Sequence, residues 1–339
     1  ARWARAQGIA LRPHAKTHRS VEVARRQRDA GAVGFCCASL GEAEVLAAAG
    51  FTDLLITSPV VPAPALRRLG ALHAAIEGLA VVVDHPANLE ALAAVARGSG
   101  RPLRVLVDVD PGLHRTGVTS PEAAVALARA ARASAHLAYD GVQFYCGREQ
   151  HVTTFADRRE ALGRRMARLA PVLDALAAEG LAPEVVTGGG TGTHRLDAAF
   201  GVLKELQAGS YVFMDRQYTD CEIDETGGTV FRKALFVDSR VVSANTPGLG
   251  TVDAGIKVLA TDGGPATVAA GAPAEAEYRF LGDEHGALRL PGHAFEPGAL
   301  VSLVVPHCDP TVNLHDVYHV VRGDVLVDVW PVSARGCSR

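Results

Sequence analysis

Between residues 9 and 212, eight short apolar runs alternate with Ala-rich stretches of helical periodicity, and no other feature limits the fold so strongly. The runs lie at 9–16, 32–38, 53–58, 79–84, 103–109, 139–145, 183–187 and 206–212, with helical patterns at 41–49, 66–75, 88–97, 121–131 and 157–178. Ser39, Ser120 and Asp157 stand where helix N-caps belong, and Gly50 and Gly180 where helices stop. Strands separated by helices build a parallel sheet with the helices packed outside it. Eight repeats predict a closed (β/α)8 TIM barrel, with a doubly wound open sheet as the competing arrangement.

After about residue 215 the helical periodicity stops. Short β-rich runs at 234–237, 240–242, 300–305, 317–322 and 325–330 take over, separated by Gly and Pro turns. Two domains are therefore expected, a barrel over 1–215 and a β-rich domain over 216–339. The chain opens Ala1-Arg2-Trp3-Ala4-Arg5 without Met and reads as starting inside a helix, so the barrel is expected to be truncated at its N-terminus.

Composition narrows the function classes. Residues are 48% hydrophobic over a length of 339, enough for a large core. The formal net charge is -3 and no basic stripe is visible, which removes the electrostatic basis for nucleic-acid binding. No apolar run has the length of a membrane span. Six cysteines (Cys36, Cys37, Cys146, Cys221, Cys308 and Cys337) are spaced irregularly and include no CxxC. That argues against a disulfide framework or a zinc knuckle and for a reducing compartment, read as the cytoplasm.

Polar clusters follow several of the apolar runs, where barrel enzymes place their chemistry. Lys16 ends the first run, and an amine there can form an imine with an aldehyde such as that of pyridoxal phosphate. The fifth run ends DVDPGLHRTG at 108–117, where Arg115 suits an anionic ligand oxygen. The sixth ends in Tyr145, with His151 shortly after, residue types suited to ring contact and proton transfer. The seventh ends TGGGTGT at 187–193 and the eighth carries QAGSY at 207–211, two loops rich in backbone and hydroxyl donors. Loops in these two positions commonly hold phosphate in barrels. In the β-rich part, PHCDPTVN at 306–313 puts His307 and Asp309 two apart. In an extended segment they face the same side and can share a metal ion. The carboxylate favours Mn²⁺ or Mg²⁺, whereas the intervening cysteine favours Zn²⁺. Taken alone, each segment also suits a structural role: a solvated lysine, a charged surface turn, a buried Tyr with a surface His, a flexible Gly-rich connection or a polar turn.

Taken in order, RPHAKTH at 12–18, CASLGEAE at 37–44, DVDPGLHRTGV at 108–118, GVQFYCG at 141–147, TGGGTGT at 187–193, LQAGSYVFMD at 206–215, DAGIK at 253–257, DEHG at 283–286 and PHCDPTVN at 306–313 resemble the D-threonine aldolase and D-serine dehydratase group. These are fold-type III pyridoxal phosphate enzymes with a barrel like that of alanine racemase. The resemblance implies that Lys16 carries the cofactor, that Arg115 faces its phenolic oxygen and that Tyr145 lies near its ring or phosphate. It implies a phosphate cup of Thr187, Gly189, Gly190, Gly209 and Ser210 with Tyr211 beside it, a divalent metal on His307 and Asp309, and His151 approaching the substrate's β-hydroxyl. A homodimer is expected on the same ground. The activity implied is cleavage of β-hydroxy-D-amino acids to glycine and an aldehyde. The alternative is dehydration of D-serine or 3-hydroxyaspartate, for which the resemblance leads one to expect HxC where this chain has HxD at 307–309.

Overall fold

The computed structural model describes residues 1–227 and 230–339, and the described chain divides into two units, Ala1–Gly209 with Gly336–Arg339, and Ser210–Arg335.

In the first unit eight parallel strands form one curled sheet: β1 (Ala10–Leu11), β2 (Phe35–Cys37), β3 (Asp53–Ile56), β4 (Gly78–Val83), β5 (Leu103–Asp108), β6 (Leu137–Phe144), β7 (Val185–Gly188) and β8 (Glu205–Leu206). The order is β1-β8-β7-β6-β5-β4-β3-β2, and the ring closes through the His14–Cys36 bridge, where the Cys36 N–H donates to Pro13 O at 2.9 Å. This is the expected barrel. Around it run α1 (Arg2–Ala6), α2 (Val21–Asp29), α3 (Leu40–Ala48), α4 (Ala63–Ala75), α5 (Pro86–Ala96), α6 (Pro121–Ala133), α7 (Phe155–Ala178) and α8 (His194–Phe200).

Local chemistry sets the helix starts. Ser39 caps α3 by accepting the Glu42 N–H at 3.3 Å, while Glu42 reaches back to the Ala38 N–H at 2.7 Å. Ser120 caps α6, with Pro121 supplying a first-turn φ that suits a helix. For α7 the cap is Thr154 rather than Asp157, because the Thr154 hydroxyl accepts the Asp157 N–H at 3.1 Å and starts the helix two residues earlier.

The first strand is far shorter than the expected 9–16. Pro13 has no N–H for the ladder, and residues Ala15–Thr17 wind into a single 3-10 turn. Strand β8 likewise stops at Leu206, and Ser210–Val212 form a second 3-10 turn. Inside the sheet, Cys36, Leu55, Ala80, Val82 and Leu106 pack together with Val185. Arg12 is buried against Glu205 at 2.9 Å and Asp53 at 2.7 Å, so a charge inside the barrel is paired on two sides. The C-terminal tail returns to this unit: the Ser39 hydroxyl donates to Cys337 O at 2.6 Å and Arg19 donates to the Ser338 hydroxyl at 3.2 Å.

The second unit begins with the Ser210–Val212 turn and the short α9 (Arg216–Thr219). Its six-stranded antiparallel sheet contains β9 (Phe236–Thr246), β10 (Leu249–Val252), β11 (Thr267–Ala270), β12 (Glu277–Phe280), β13 (Gly286–Arg289) and β14 (Leu300–Val304), in the order β11-β14-β9-β10-β13-β12. Helix α10 (Cys308–Val312) follows, and β15 (Val317–Arg322) and β16 (Val325–Pro331) pair as a separate hairpin. The six cysteines are free thiols, and no described helix is long and apolar enough to cross a membrane.

Candidate functional site

The turn carrying Lys16 follows Pro13, and the backbone seats it against the loop after β8: the His14 N–H donates to Ala208 O at 3.2 Å. A Cβ added at Gly209 would stand 2.5 Å from the Thr17 hydroxyl and 3.3 Å from the His14 side chain, so only glycine fits there. Lys16 itself is half-buried, between the buried Ala15 and Thr17. The Thr17 hydroxyl is buried and finds no hydrogen-bond partner among the described residues. A buried hydroxyl without a partner is costly unless a ligand or water satisfies it.

Beneath this turn, polar side chains from the ends of neighbouring strands are linked. The Gln143 amide donates to Asp108 at 2.9 Å, and the Thr116 hydroxyl donates to the same carboxylate at 2.7 Å. Gln207 donates both to Gln143 at 3.1 Å and to the Thr187 hydroxyl at 3.1 Å. Burial pushes the Asp108 carboxyl up, against the hydrogen bonds from Gln143 and Thr116 that lower it. Thr187, named from sequence as part of the phosphate cup, is fully buried and belongs to this floor.

Arg115 and Tyr145 lie together, with the guanidinium carbon 5.6 Å from the ring centre. The loop carrying Arg115 is pinned by Asp110, whose carboxylate accepts the N–H groups of Gly112, Leu113 and His114 at 3.0, 2.8 and 3.0 Å. Burial would raise that carboxyl, but the three N–H groups outweigh it and hold it below its ordinary value. His151 closes the 3-10 turn Arg148–His151 that follows β6 and is exposed.

The glycine loop after β7 is shaped from below. Gly189 takes φ +67, and a Cβ there would collide with Asp197; at Gly190 it would collide with the Gln150 side chain. The Gly190 N–H donates to the Thr193 hydroxyl at 3.2 Å and the Gly192 N–H to Gln150 at 3.0 Å, so these two donors serve the loop itself. Asp197 is wholly buried, and burial pushes its carboxyl up to about 7, against the lowering by Thr193 and the Gly190 N–H.

Ser210 and Tyr211 follow Gly209 directly, in the turn that heads the second unit, and the Tyr211 ring lies 5.8 Å from that of Phe231. His307 and Asp309 lie further along the same unit, and there the expected geometry is corrected. The segment is not extended past His307: His307 caps α10 and Asp309 sits in its first turn, so alternation along a strand does not align the two side chains. The helix starts because Asp215, already capping α9, accepts the Cys308 N–H at 2.8 Å. His307 Nδ1 pairs with Asp262 at 2.8 Å, a partner that no spacing in the sequence announces. Cys308 is wholly buried and its thiol is pushed well up by burial, which disfavours the thiolate form. Among the described residues no three His, Cys, Asp or Glu side chains converge as a metal cage, so His307 and Asp309 would leave most of a cation's coordination to water and substrate.

Comparison with known proteins follows the same division. Residues 2–217 match the family model for the alanine racemase N-terminal domain, and residues 234–321 match a putative serine dehydratase domain. A D-threonine aldolase of Arthrobacter sp is 42% identical over 99% of this chain and 88% of its own length. A 3-hydroxy-D-aspartate aldolase of Paracoccus denitrificans is 39% identical over 98% of this chain and 87% of its own. The crystal structure of D-threonine aldolase from Filomicrobium marinum superposes with a TM-score of 0.94 at 36% identity, covering 99% of this chain and 91% of that one.

Proposed function

The chain belongs to the family defined by the alanine racemase N-terminal domain, and on that premise we propose that it is a carbon–carbon lyase that cleaves β-hydroxy-D-amino acids to glycine and an aldehyde. The observation that carries the choice of reaction is the near full-length likeness to two aldolases, at 42% and 39% identity.

Pyridoxal phosphate fits the residues present. The Thr17 hydroxyl beside Lys16 is buried without a hydrogen-bond partner among the described residues, which a bound ligand would relieve. Lys16 would hold the cofactor's carbonyl carbon, Arg115 its phenolic oxygen, and Tyr145 would lie near its ring or phosphate. Thr187, Gly189, Gly190, Gly209 and Ser210 would line the phosphate, with Tyr211 alongside. When bound, the cofactor supplies a sink for the electron pair released as the Cα–Cβ bond breaks.

The protein's own groups supply the proton chemistry. His151 takes the proton from the β-hydroxyl as the C–O bond becomes the aldehyde carbonyl. His151 is itself an exposed residue at the end of that turn, which suits a group that meets substrate. The carbon left on the glycine side gains a proton to complete the product. Asp110, by fixing the Gly112–His114 backbone, keeps Arg115 aimed at an anionic oxygen.

His307 and Asp309 would hold a divalent cation, with Mn²⁺ or Mg²⁺ favoured by the carboxylate and Zn²⁺ next. We further propose a homodimer in the cytoplasm. The separate hairpin β15–β16 supports the dimer: Val321, Val325, Leu326 and Val329 are all exposed, and a two-stranded hairpin is marginal in water without a covering layer. The free thiols support a reducing compartment.

Product analysis with D-threonine, with and without Mn²⁺ after chelation, tests the reading. Glycine plus acetaldehyde supports it, whereas 2-oxobutanoate plus ammonia makes the protein a dehydratase. Equal rates before and after chelation remove the metal from the reaction.

A further inference from the structure

Gln150 is wholly buried, yet it stands one residue before the exposed His151 in the same 3-10 turn. Every part of its amide is engaged. The nitrogen donates to Cys146 O at 3.1 Å and to the Thr193 hydroxyl at 2.8 Å, and the oxygen accepts the Gly192 N–H at 3.0 Å. The reverse orientation would set the amide nitrogen against the Gly192 N–H, donor to donor, so the assignment is fixed by the network.

Thr193 is the second node. Its hydroxyl accepts from Gln150 and from the Gly190 N–H at 3.2 Å, and gives its own proton to Asp197 at 2.7 Å. The glycine loop lies flush on Gln150. A Cβ at Gly190 would strike its side chain, and one at Gly192 would strike its backbone carbonyl. Arg158, also wholly buried, makes a second tie, donating to Gly192 O at 3.2 Å and to Val152 O. The segment around His151 and the glycine loop are thus bolted together at two places.

We infer that Gln150 is a positioning residue that ties the His151 turn to the phosphate seat, so that the cofactor's phosphate and the His151 ring keep one fixed spacing. The inference rests on reading the glycine loop as that seat. It makes Gln150 act through two other elements without touching substrate. Two losses should then appear together when it is removed: weaker hold on the phosphate and a misplaced His151.

Apo wild type, Gln150→Leu and Thr193→Val are titrated with pyridoxal phosphate and with pyridoxal, which lacks the phosphate, and binding is followed by visible absorbance. Each variant is expected to bind pyridoxal phosphate about ten- to a hundredfold more weakly, because a buried donor or acceptor loses its partner. Pyridoxal binding is expected to stay at the wild-type value. The double variant should lose less than the two single losses combined, since both cut one network. At saturating pyridoxal phosphate, Gln150→Leu should lower kcat by about tenfold with little change in KM, as displacement of a reacting group predicts. Equal weakening for both ligands, as a general softening of the barrel would give, overturns the inference. So does unchanged pyridoxal phosphate binding in variants whose thermal melts show them folded. A wild type that binds the two ligands equally overturns the phosphate seat itself, a failure visible without any variant.

Discussion

The two units bury their strands in opposite ways. In the first, β4 and β5 are buried along nearly their whole length, because helices cover the outside of the sheet and side chains fill the inside. In the second, β9 alternates exposed and buried residues from Phe236 to Val242, one face to the core and one to solvent. Polar groups placed inside the first unit therefore have to be satisfied by one another. That is why its buried polar side chains gather in two hydrogen-bonded networks, Asp108–Gln143–Gln207–Thr187 and Gln150–Thr193–Asp197. The second unit holds its candidate metal residues by looser means, an Asp262 that is 57% exposed at its side chain against a half-buried His307. A cofactor seat demands a rigid frame, whereas a cation that keeps waters needs only a few oxygen and nitrogen donors.

The largest expected effect separates the units. Lys16→Ala should abolish both the visible absorbance of bound pyridoxal phosphate and turnover, while His307→Ala should keep the absorbance and lose the metal-stimulated rate. Loss of the absorbance in His307→Ala would break the division of labour. Next, His151→Asn should keep the cofactor and lower kcat by about 10²- to 10⁴-fold, the usual range for a lost proton-transfer group. A steady-state rate within a factor of three of wild type would remove His151 from the reaction.

Asp197 gives a prediction in stability. Its folded carboxyl is raised from the ordinary 3.8 to about 7, so folding favours the protonated form. Stability from this group is fully present below pH 3.8 and is lost as pH rises through about 7. That displacement corresponds to about 4 kcal/mol. Asp197→Asn lacks that slope, so its melting temperature should gain on wild type between pH 4 and pH 7.5. Parallel curves would show that Asp197 is ionised at low cost.

Gly209→Ala carries a smaller expected cost, about 1–3 kcal/mol by overpacking against Thr17 and His14, measured by denaturant unfolding. Unchanged stability would mean that the Lys16 turn yields. The smallest effect on the fold belongs to the hairpin. Leu326→Asp is an exposed change and should alter stability by less than about 0.5 kcal/mol. Sedimentation should nonetheless show monomers in place of dimers, and a dimer that survives excludes this face as its interface.

Much of this was legible along the chain because its signals are local. Strands β3 to β7 appear as apolar runs bounded by turns, and Arg115, Tyr145 and the 187–193 loop appear as polar groups after three of them, as Lys16 does after the first run. The ends of β1 and β8 are not legible this way, since a run of apolar and small residues does not reveal that the ladder ends before Pro13 or that Gly209 must make room for Thr17. Gln150 had no distinguishing mark beside the more conspicuous His151, and Asp262 stands 45 residues before the histidine it meets.

The sequence by itself determined the alternation of strand and helix, the change to β structure after the barrel and the residue types available for cofactor chemistry. These follow from periodicity and side-chain chemistry within a few residues. Only the tertiary structure decided that Gly190 and Gly192 lie on Gln150, that the floor runs from Asp108 to Thr187 and that His307 caps a helix facing Asp262. Each of these depends on which buried donor finds which acceptor, and that pairing exists only once distant segments have been brought within hydrogen-bond reach.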